Sequence, residues 1–153
     1  MDGYRFSTYV CDDLQQMEAT DSLIVPLLEG LGKNIQKQLG NVQLGRSVRI
    51  FICDREDRVA GGIVSDLFGG WAYISLLWID EPLRNKGLGS QLVSMLEQEV
   101  LRLGYTHAHL DTYSFEARPF YEKLGYELFA TLEDYPPGHC KYFLKKTLSE
   151  GQR

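Results

Sequence analysis

The stretch WIDEPLRNKGLGSQLVSMLEQEV, residues 78–100, leads from an apolar run through a proline into a short basic, glycine-rich turn. After the turn the period is helical, because Leu88, Leu92, Leu96 and Val100 lie four residues apart. The first turn of a helix carries backbone N–H groups without partners, and the helix dipole adds positive potential there. Glycine lets a ligand approach that backbone closely. The stretch therefore predicts an anion-binding turn at the start of a helix.

The composition is that of an ordinary globular protein. The 153 residues, 44% hydrophobic and 24% charged, fit one domain with a substantial core, which we expect to span residues 1–153. The formal net charge of −5 argues against nucleic-acid binding through a general basic surface. No run approaches the ~20 apolar residues of a membrane span, and the N-terminus lacks a signal-peptide pattern. We therefore expect a cytoplasmic protein that binds neither nucleic acid nor membrane.

Neither the cysteines nor the histidines form a strong metal or disulfide pattern. Cys11, Cys53 and Cys140 are odd in number and widely spaced, which is typical of free thiols in a reducing compartment. His107 and His109 would share one face of a strand, which is a weak indication of a metal pair. We therefore expect no metal site.

The first part of the chain is predicted to be a strand followed by a broken helical region. YRFSTYV, residues 4–10, has the composition of a strand. Asp21 and Ser22 are candidate N-caps for a helix in which Pro26 would fall within the first turn. Several glycines then leave the boundaries of this region open as far as about residue 45.

The rest of the chain alternates strands with two helices. SVRIFIC, VAGGIVSDL and WAYISLLWI read as an antiparallel meander, and the long helix after them closes at Gly104. THAHLDT follows as a strand parallel to WAYISLLWI, ARPFYEKL as a short helix, and YELFATL and CKYFLKKTL as the last two strands. This order predicts an α/β (α+β) domain with a mixed central sheet of about seven strands flanked by helices.

Two motifs in this order resemble those of the GNAT acetyltransferase family. The family's phosphate-binding motif is Arg or Gln, two residues, Gly, one residue, and Gly or Ala, and RNKGLG matches it at Arg84, Gly87 and Gly89. The family's second hallmark is a small residue, a short helix carrying tyrosine, and Leu-Gly-aromatic before a strand, to which ARPFYEKLGYELF, residues 117–129, is similar. GxxxxGK[ST] and GxGxxG, which mark other nucleotide sites, are absent from the sequence.

The resemblance covers nearly the whole chain and implies a fold and a cosubstrate. The implied fold is the GNAT fold, with the sheet splayed between the fourth and fifth strands, and the implied cosubstrate is acetyl-CoA, with no metal. In the family the coenzyme contacts the strand before the turn, the turn itself, and a position seven residues before the tyrosine, where asparagine is frequent and this chain has serine. The corresponding residues are Leu77, Trp78, Ile79, Arg84, Asn85, Lys86, Gly87, Leu88, Gly89, Ser90 and Ser114.

The implied reaction is acetyl transfer from acetyl-CoA to a primary amine by direct attack in a ternary complex. Neither motif contains a cysteine, which leaves little support for a covalent route. Tyr121 aligns with the tyrosine that often protonates the departing thiolate in this family, although packing against Phe120 and Leu124 is an alternative role. The backbone N–H of Ile79 or a neighbour would polarise the thioester carbonyl.

The base and the acceptor are less well defined by the sequence. WAYISLLWI lacks the glutamate that many family members carry on this strand, so Asp111 is the best candidate carboxylate, with a water relay as the alternative. On the acceptor side the candidates are Tyr113, Asp134 and Tyr135. Their acidic and aromatic character favours a small cationic molecule as acceptor, with a peptide amine as the alternative.

Two further readings stay open at this level. A catalytically inactive acyl-CoA-binding module would explain the missing strand acid and Ser114, whereas the presence of Tyr121 favours an enzyme. A toxin that acetylates charged tRNA is disfavoured by the net charge of −5. The sequence leaves the oligomeric state undecided, with a homodimer among the options.

Overall fold

The computed structural model describes residues 4–150, and its contacts group the chain into two compact units that divide between Val42 and Gln43. The first unit contains one long helix, α1 (Leu14–Leu39). Asp13 is its N-cap, and the Asp13 carboxylate accepts a hydrogen bond of 2.8 Å from the N–H of Gln16. This cap starts the helix eight residues before Asp21, the earlier of the two caps that the sequence suggested.

Two predictions for the first unit are wrong. Residues 4–10 are not a strand, and Phe6 is 94% exposed, because no described segment pairs with them and a strand needs a hydrogen-bonded neighbour. The helix begins at Asp13 and not after Asp21 and Ser22, so Pro26 lies in its interior. Proline removes one hydrogen bond of the helix, and the turns on both sides continue in spite of that loss.

The second unit is built on a six-stranded mixed sheet with the order β1-β2-β3-β4-β6-β5. Its strands are β1 (Arg46–Cys53), β2 (Val59–Phe68), β3 (Trp71–Ile79), β4 (His107–Tyr113), β5 (Glu127–Glu133) and β6 (Cys140–Thr147). A 3₁₀ turn (Glu81–Leu83), helix α2 (Leu88–Arg102) and helix α3 (Arg118–Lys123) complete it. The α/β fold class is confirmed, and the sheet has six strands instead of about seven because residues 4–10 stay outside it.

Helix α2 supplies much of the core. Its apolar face buries Leu92, Val93, Leu96 and Val100 against strand residues that include Ile63, Leu110 and Leu144. The helix ends as the sequence predicts, with Gly104 in the left-handed conformation at φ 88°. The N–H of Gly104 and that of Tyr105 bond back to the carbonyls of Leu101 and Val100. The apolar period and the closing glycine thus place the helix firmly on the sheet.

The splay predicted between the fourth and fifth strands is confirmed, and these strands are β3 and β4 because the first predicted strand is absent. They are the only parallel neighbours among the six described strands. The pairing runs from Trp71 opposite His107 to Ile74 opposite Leu110 and stops there. At that point the register of β3 with β2 also shifts, which leaves Ser75 as an extra residue in a β-bulge. The bulge turns the second half of β3 away, while β4 continues against β6. A wedge therefore opens between the C-terminal ends of β3 and β4.

A buried ion pair joins α2 to β6. The Nζ atom of Lys146 lies 3.0 and 2.9 Å from the two carboxylate oxygens of Glu97, and the Tyr126 hydroxyl donates to the same carboxylate at 3.0 Å. The side chains of Lys146 and Glu97 are only 9% and 12% exposed. Loss of one partner would leave the other charge buried and unpaired, which is far more costly than loss of a surface pair.

We expect Lys146→Met to lower the free energy of unfolding by about 3–5 kcal/mol, measured by denaturant titration, because the Glu97 carboxylate would lose its cationic partner. Lys145→Met is the matched control on the same strand. Its ammonium lies over the Phe129 ring at 5.7 Å and makes no ion pair in the described part of the chain, so a loss below about 1 kcal/mol is expected. Equal losses in the two variants would contradict the buried pair.

Candidate active site

A cavity of about 890 Å³ lies in the second unit where β3 and β4 diverge. Its walls come from the second half of β3, the turn before α2, the end of β4 and the start of α3. Most of the residues that the sequence predicted for the site meet here: Leu77, Trp78, Ile79, Arg84, Asn85, Gly87, Leu88, Gly89, Ser90, Asp111, Tyr113 and Tyr121. The fold thus brings together segments that are far apart in the sequence.

The edge of β3 offers backbone groups to this cavity. The N–H of Asp80 donates to the carbonyl of Ala60 on β2 at 2.9 Å, and in an antiparallel ladder alternate residues face the same neighbour. The backbone N–H and C=O groups of Leu77 and Ile79 therefore point away from β2, towards the wedge, whereas those of Trp78 point to β2. The Ile79 carbonyl accepts a hydrogen bond of 2.9 Å from Nε of Arg84. Both backbone groups of Leu77 and the N–H of Ile79 are left to face the cavity.

The turn before α2 has the geometry of an anion site. The first helical hydrogen bond is donated by Gln91 to the carbonyl of Gly87 at 3.1 Å, and within residues 4–150 no protein acceptor takes the N–H groups of residues 85–90. Asn85 and Gly87 are both left-handed, with φ of 59° and 77°, which makes the turn concave. A Cβ atom on Gly87 would meet nothing within 4 Å, so this side of the turn is open.

The two motif glycines have different physical roles. Gly87 provides the left-handed conformation and an open face. A Cβ atom on Gly89 would lie 3.2 Å from the Phe120 ring, a tight contact, so this glycine allows α2 to pack closely on α3. Arg84 and the exposed Lys86 add positive charge, although Lys86 does not line the cavity. Unpartnered amides, an open face and local cations together fit a diphosphate group.

Tyr121 lies on α3 at the cavity wall and is 8% exposed. Its ring packs edge-on against Phe120 at 5.0 Å and Tyr126 at 6.0 Å, so packing and lining the cavity are roles of the same side chain. Burial, followed by the negative charges of Glu116 and Asp111, raises the pKa of Tyr121 to about 12. Its hydroxyl therefore carries its proton throughout the physiological pH range.

Asp111 lines the cavity with both carboxylate oxygens engaged. Tyr73 donates to one oxygen at 2.7 Å, and Nζ of Lys141 lies 3.2 Å from the other. This hydrogen bond, with burial and the Asp111 charge, raises the pKa of Tyr73 to about 12. Lys141 in turn lies over the rings of Tyr135 at 4.8 Å and Tyr113 at 5.6 Å. A cation of the protein itself thus occupies the acidic and aromatic cluster that the sequence suggested for the acceptor.

Besides Lys86, three predicted site residues do not line the cavity. The Ser114 hydroxyl accepts a hydrogen bond of 3.1 Å from the N–H of Cys140 and lies 3.2 Å from Nδ1 of His139, so it ties the end of β4 to β6. The Asp134 carboxylate accepts from the N–H of Gly138 at 3.4 Å, within its own turn. Tyr135 stacks on Tyr113 at 5.9 Å from outside the cavity. Of the acceptor-side candidates, Tyr113 alone lines the cavity.

The sequence prediction missed Glu116, Phe120 and Lys141. Glu116 and Phe120 line the cavity, and Lys141 anchors Asp111. Glu116 lies between two residues that the family resemblance singled out, Ser114 and Tyr121, and this position was the available signal. Nothing in the local sequence pairs Lys141 with Asp111, because the contact depends on the register of β4 with β6.

The part of the chain that the structure describes contains neither a group of metal ligands nor a helix suited to span a membrane. Across residues 4–150 no three His, Cys, Asp or Glu side chains converge as ligands for a metal ion. Over the same residues no helix combines the length and the apolar character that crossing a bilayer requires.

The family model described as Acetyltransferase (GNAT) family matches residues 19–126. This chain belongs to the GNAT acetyltransferase family. It is 35% identical over 99 residues to blasticidin-S acetyltransferase of Streptomyces morookaense, which covers 64% of this chain and 73% of that protein. The crystal structure of an acetyltransferase from Bacillus cereus is 26% identical, with a TM-score of 0.69 over 93% of this chain and 98% of that one.

A Bacillus anthracis structure determined in complex with acetyl coenzyme A shares the fold, with a TM-score of 0.60 at 18% identity over 69% of this chain and 64% of that one. The resemblance inferred from the two motifs and the prediction of an N-acetyltransferase are thereby confirmed. GNAT acetyltransferases use acetyl-CoA and act on amines of small molecules or peptides.

We expect acetyl-CoA to raise the melting temperature, since a ligand at ~100 times its Kd adds about 2.7 kcal/mol to the stability of the folded state. Gly87→Val should abolish that shift by closing the open face of the turn. Gly104→Val is the matched control, because Gly104 is equally left-handed at the other end of α2 and a Cβ there also meets nothing within 4 Å. Both variants should lose roughly 1–2 kcal/mol from backbone strain, and the control should keep the shift. An undiminished shift in Gly87→Val would place the diphosphate elsewhere.

Proposed function

We propose that this protein transfers the acetyl group of acetyl-CoA to a primary amine of a small molecule by direct attack in a ternary complex. The observation that carries the proposal is the single cavity onto which the β3 edge, the anion turn and Tyr121 all open. In this reaction the amine nitrogen bonds to the thioester carbon, the carbon–sulfur bond breaks, the nitrogen loses a proton and the sulfur gains one. The protein has to bind, orient and move those protons.

The coenzyme end of the site is formed mainly by backbone groups. The amides of residues 85–90, helped by Arg84, suit a diphosphate, and the free groups of Leu77 and Ile79 suit the amides of a pantetheine arm as an added strand would. The N–H of Ile79 is available to stabilise a developing oxyanion, because it points away from β2 into the wedge. This arrangement supports the coenzyme-binding role of residues 77–79 and 84–90 and offers nothing similar for Ser114.

Tyr121 is proposed as the donor to the departing sulfur. Its pKa of about 12 lies above the ordinary thiol value of about 8.5, so full proton transfer to a thiolate in water would be unfavourable. The burial that raises the pKa of the phenol also disfavours a naked thiolate, which narrows that gap inside the cavity. The hydroxyl can then donate a hydrogen bond, and finally its proton, as charge grows on sulfur.

The acceptor is proposed to be a small-molecule amine. The relative from Streptomyces morookaense is named for a small molecule, blasticidin S, which supports this class over a peptide. The sequence-based preference for a cationic acceptor weakens, because Lys141 already satisfies Asp111 and the rings of Tyr113 and Tyr135. An acceptor that binds beside Tyr113 in the cavity would meet this ring and the Asp111 carboxylate, whose charge Lys141 partly neutralises.

The organisation of the whole chain is part of the proposal. The family match, residues 19–126, takes in parts of both compact units, which supports one functional domain over residues 1–153. A cytoplasmic location and a homodimer remain predictions from the sequence and the family resemblance.

We expect thiol release from acetyl-CoA with at least one member of a panel of amino acids, polyamines, aminoglycosides, short peptides and blasticidin S, followed with a thiol reagent. Small-molecule amines should give the faster rates. A thermal shift with acetyl-CoA but no release across the panel would instead favour the inactive acyl-CoA-binding module.

Tyr121→Phe keeps the buried ring and removes only the hydroxyl, so the single-turnover rate should fall by roughly 10²–10⁴-fold while the acetyl-CoA thermal shift is retained. Because the pKa of Tyr121 is about 12, the wild-type rate should show no loss from its ionisation below about pH 11. Tyr105→Phe, a half-buried tyrosine outside the cavity, is the control and should keep the wild-type rate. A normal rate in Tyr121→Phe would remove this hydroxyl from the mechanism.

A further inference from the structure

Acetyl transfer to an amine requires a group that takes the proton from nitrogen, and two carboxylates line the cavity. They are Asp111 on β4 and Glu116 in the segment between β4 and α3. A general base needs an oxygen that can reach the acceptor nitrogen directly or through one water molecule. The hydrogen bonds that each carboxylate already makes decide which of the two is suited to this role.

Asp111 is committed to other partners. One oxygen accepts from the Tyr73 hydroxyl at 2.7 Å and the other faces the Lys141 ammonium at 3.2 Å. Both oxygens are therefore already occupied by partners of the protein, and neither is free to reach an acceptor nitrogen. Asp111 is therefore an anchor that holds Tyr73 and Lys141 behind the acceptor end of the cavity.

Glu116 is held by only one of its oxygens. Oε2 accepts from the hydroxyl of Thr112 at 3.2 Å and from the N–H of Tyr113 at 3.4 Å. Thr112 is buried, so these bonds tie the carboxylate to the rigid end of β4. Oε1 bonds to no protein group in the described range, and the side chain is exposed to solvent. The free oxygen can accept a proton inside the cavity and pass it to water.

The charged and titratable groups around Glu116 come from each wall of the cavity. The N–H of Tyr113 on β4 donates to the Glu116 carboxylate, and Asp111 of β4, Tyr121 of α3 and Arg84 of the turn before α2 line the same cavity. After burial, the Glu116 charge is the largest influence on the raised pKa of Tyr121, ahead of that of Asp111. Glu116 thus lies on the same side of the site as the proposed proton donor.

We propose that Glu116 is the general base that accepts the proton from the acceptor nitrogen. The inference rests on the proposed function and completes its proton balance. As the nitrogen–carbon bond forms, one N–H proton passes to Oε1 of Glu116, while the carbon–sulfur bond breaks and Tyr121 protonates the sulfur. The protonated Glu116 then returns a proton to the Tyr121 oxygen, directly or through water, so that both side chains regain their starting states.

The test is a single-turnover pH profile of Glu116→Gln with blasticidin S or the panel amine that gives the fastest thiol release. Near neutral pH the rate should fall by roughly 10²–10⁴-fold, and it should recover towards high pH as hydroxide takes over the removal of the proton from nitrogen. The acetyl-CoA thermal shift should be unchanged. Glu133→Gln, an exposed glutamate at the end of β5 outside the cavity, is the control and should keep the wild-type profile.

Titration of Tyr121 by NMR provides a readout that does not depend on turnover. Removal of the neighbouring negative charge should lower the pKa of Tyr121 in Glu116→Gln and leave it unchanged in Glu133→Gln. An unchanged Tyr121 pKa in Glu116→Gln, or a normal neutral-pH rate, overturns the proposal. A loss of rate near neutral pH with recovery at high pH in Asp111→Asn, and not in Glu116→Gln, assigns the base to Asp111 instead. Failure of the wild-type protein with every amine removes the reaction itself, which distinguishes that outcome from failure of Glu116.

Discussion

The functional part of this protein depends on the interruption of one strand pair. β3 and β4 are paired over only four residues each, and the pairing stops where a β-bulge at Ser75 shifts the register of β3 with β2. The Ser75 hydroxyl bonds to the Val64 carbonyl at 3.4 Å, so the bulge satisfies part of its own polar surface. Without the bulge, the two strands would continue side by side and their backbone groups would satisfy each other. With it, Leu77 and Ile79 keep hydrogen-bonding capacity for a ligand.

The two ends of the cavity use different kinds of chemistry. The proposed coenzyme end consists of main-chain amides at the β3 edge and in residues 85–90, whose positions follow from the bulge, the left-handed Gly87 and the start of α2. The proposed acceptor end consists of side chains from β4 and the segment before α3, and Tyr73 and Lys141 hold Asp111 from behind. In such an arrangement backbone groups would bind the coenzyme, which is the same for every acceptor. The side chains at the other end can then differ and determine which amine is bound.

The acceptor end is also where charge is arranged most closely. Asp111, Tyr73 and Lys141 form a nearly neutral group, in which the lysine is held under two tyrosine rings. Glu116 is the carboxylate left with a free oxygen, next to a tyrosine whose proton is retained by burial. Two carboxylates in one cavity can therefore have different roles, because Asp111 is neutralised by its partners and Glu116 keeps one oxygen free.

The sequence by itself determined the local structure wherever a short-range rule decides it. The helical period from Leu88 to Val100, the left-handed Gly104, the meander of β1 to β3 and the anion turn all follow from spacing and turn chemistry within about twenty residues. Together with the order of the two motifs, they were enough to indicate the fold class, the splay of the sheet and the family. The prediction failed at residues 4–10 and at the start of α1, where a strand-like composition found no partner and Asp13 offered an earlier cap.

Only the tertiary structure decided which side chains meet. Asp111 and Lys141 come together because β4 and β6 pair with Asp111 opposite Phe143 and Tyr113 opposite Lys141, and Tyr73 reaches the same carboxylate because of the parallel register of β3 with β4. Likewise, the close packing of α2 on α3 is decided by the ring of Phe120, which lies 3.2 Å from where a Cβ atom on Gly89 would be. A shift of register by one residue would turn each of these side chains to the other face of the sheet. Such registers are fixed by the packing of the whole core, and no local pattern in the sequence carries them.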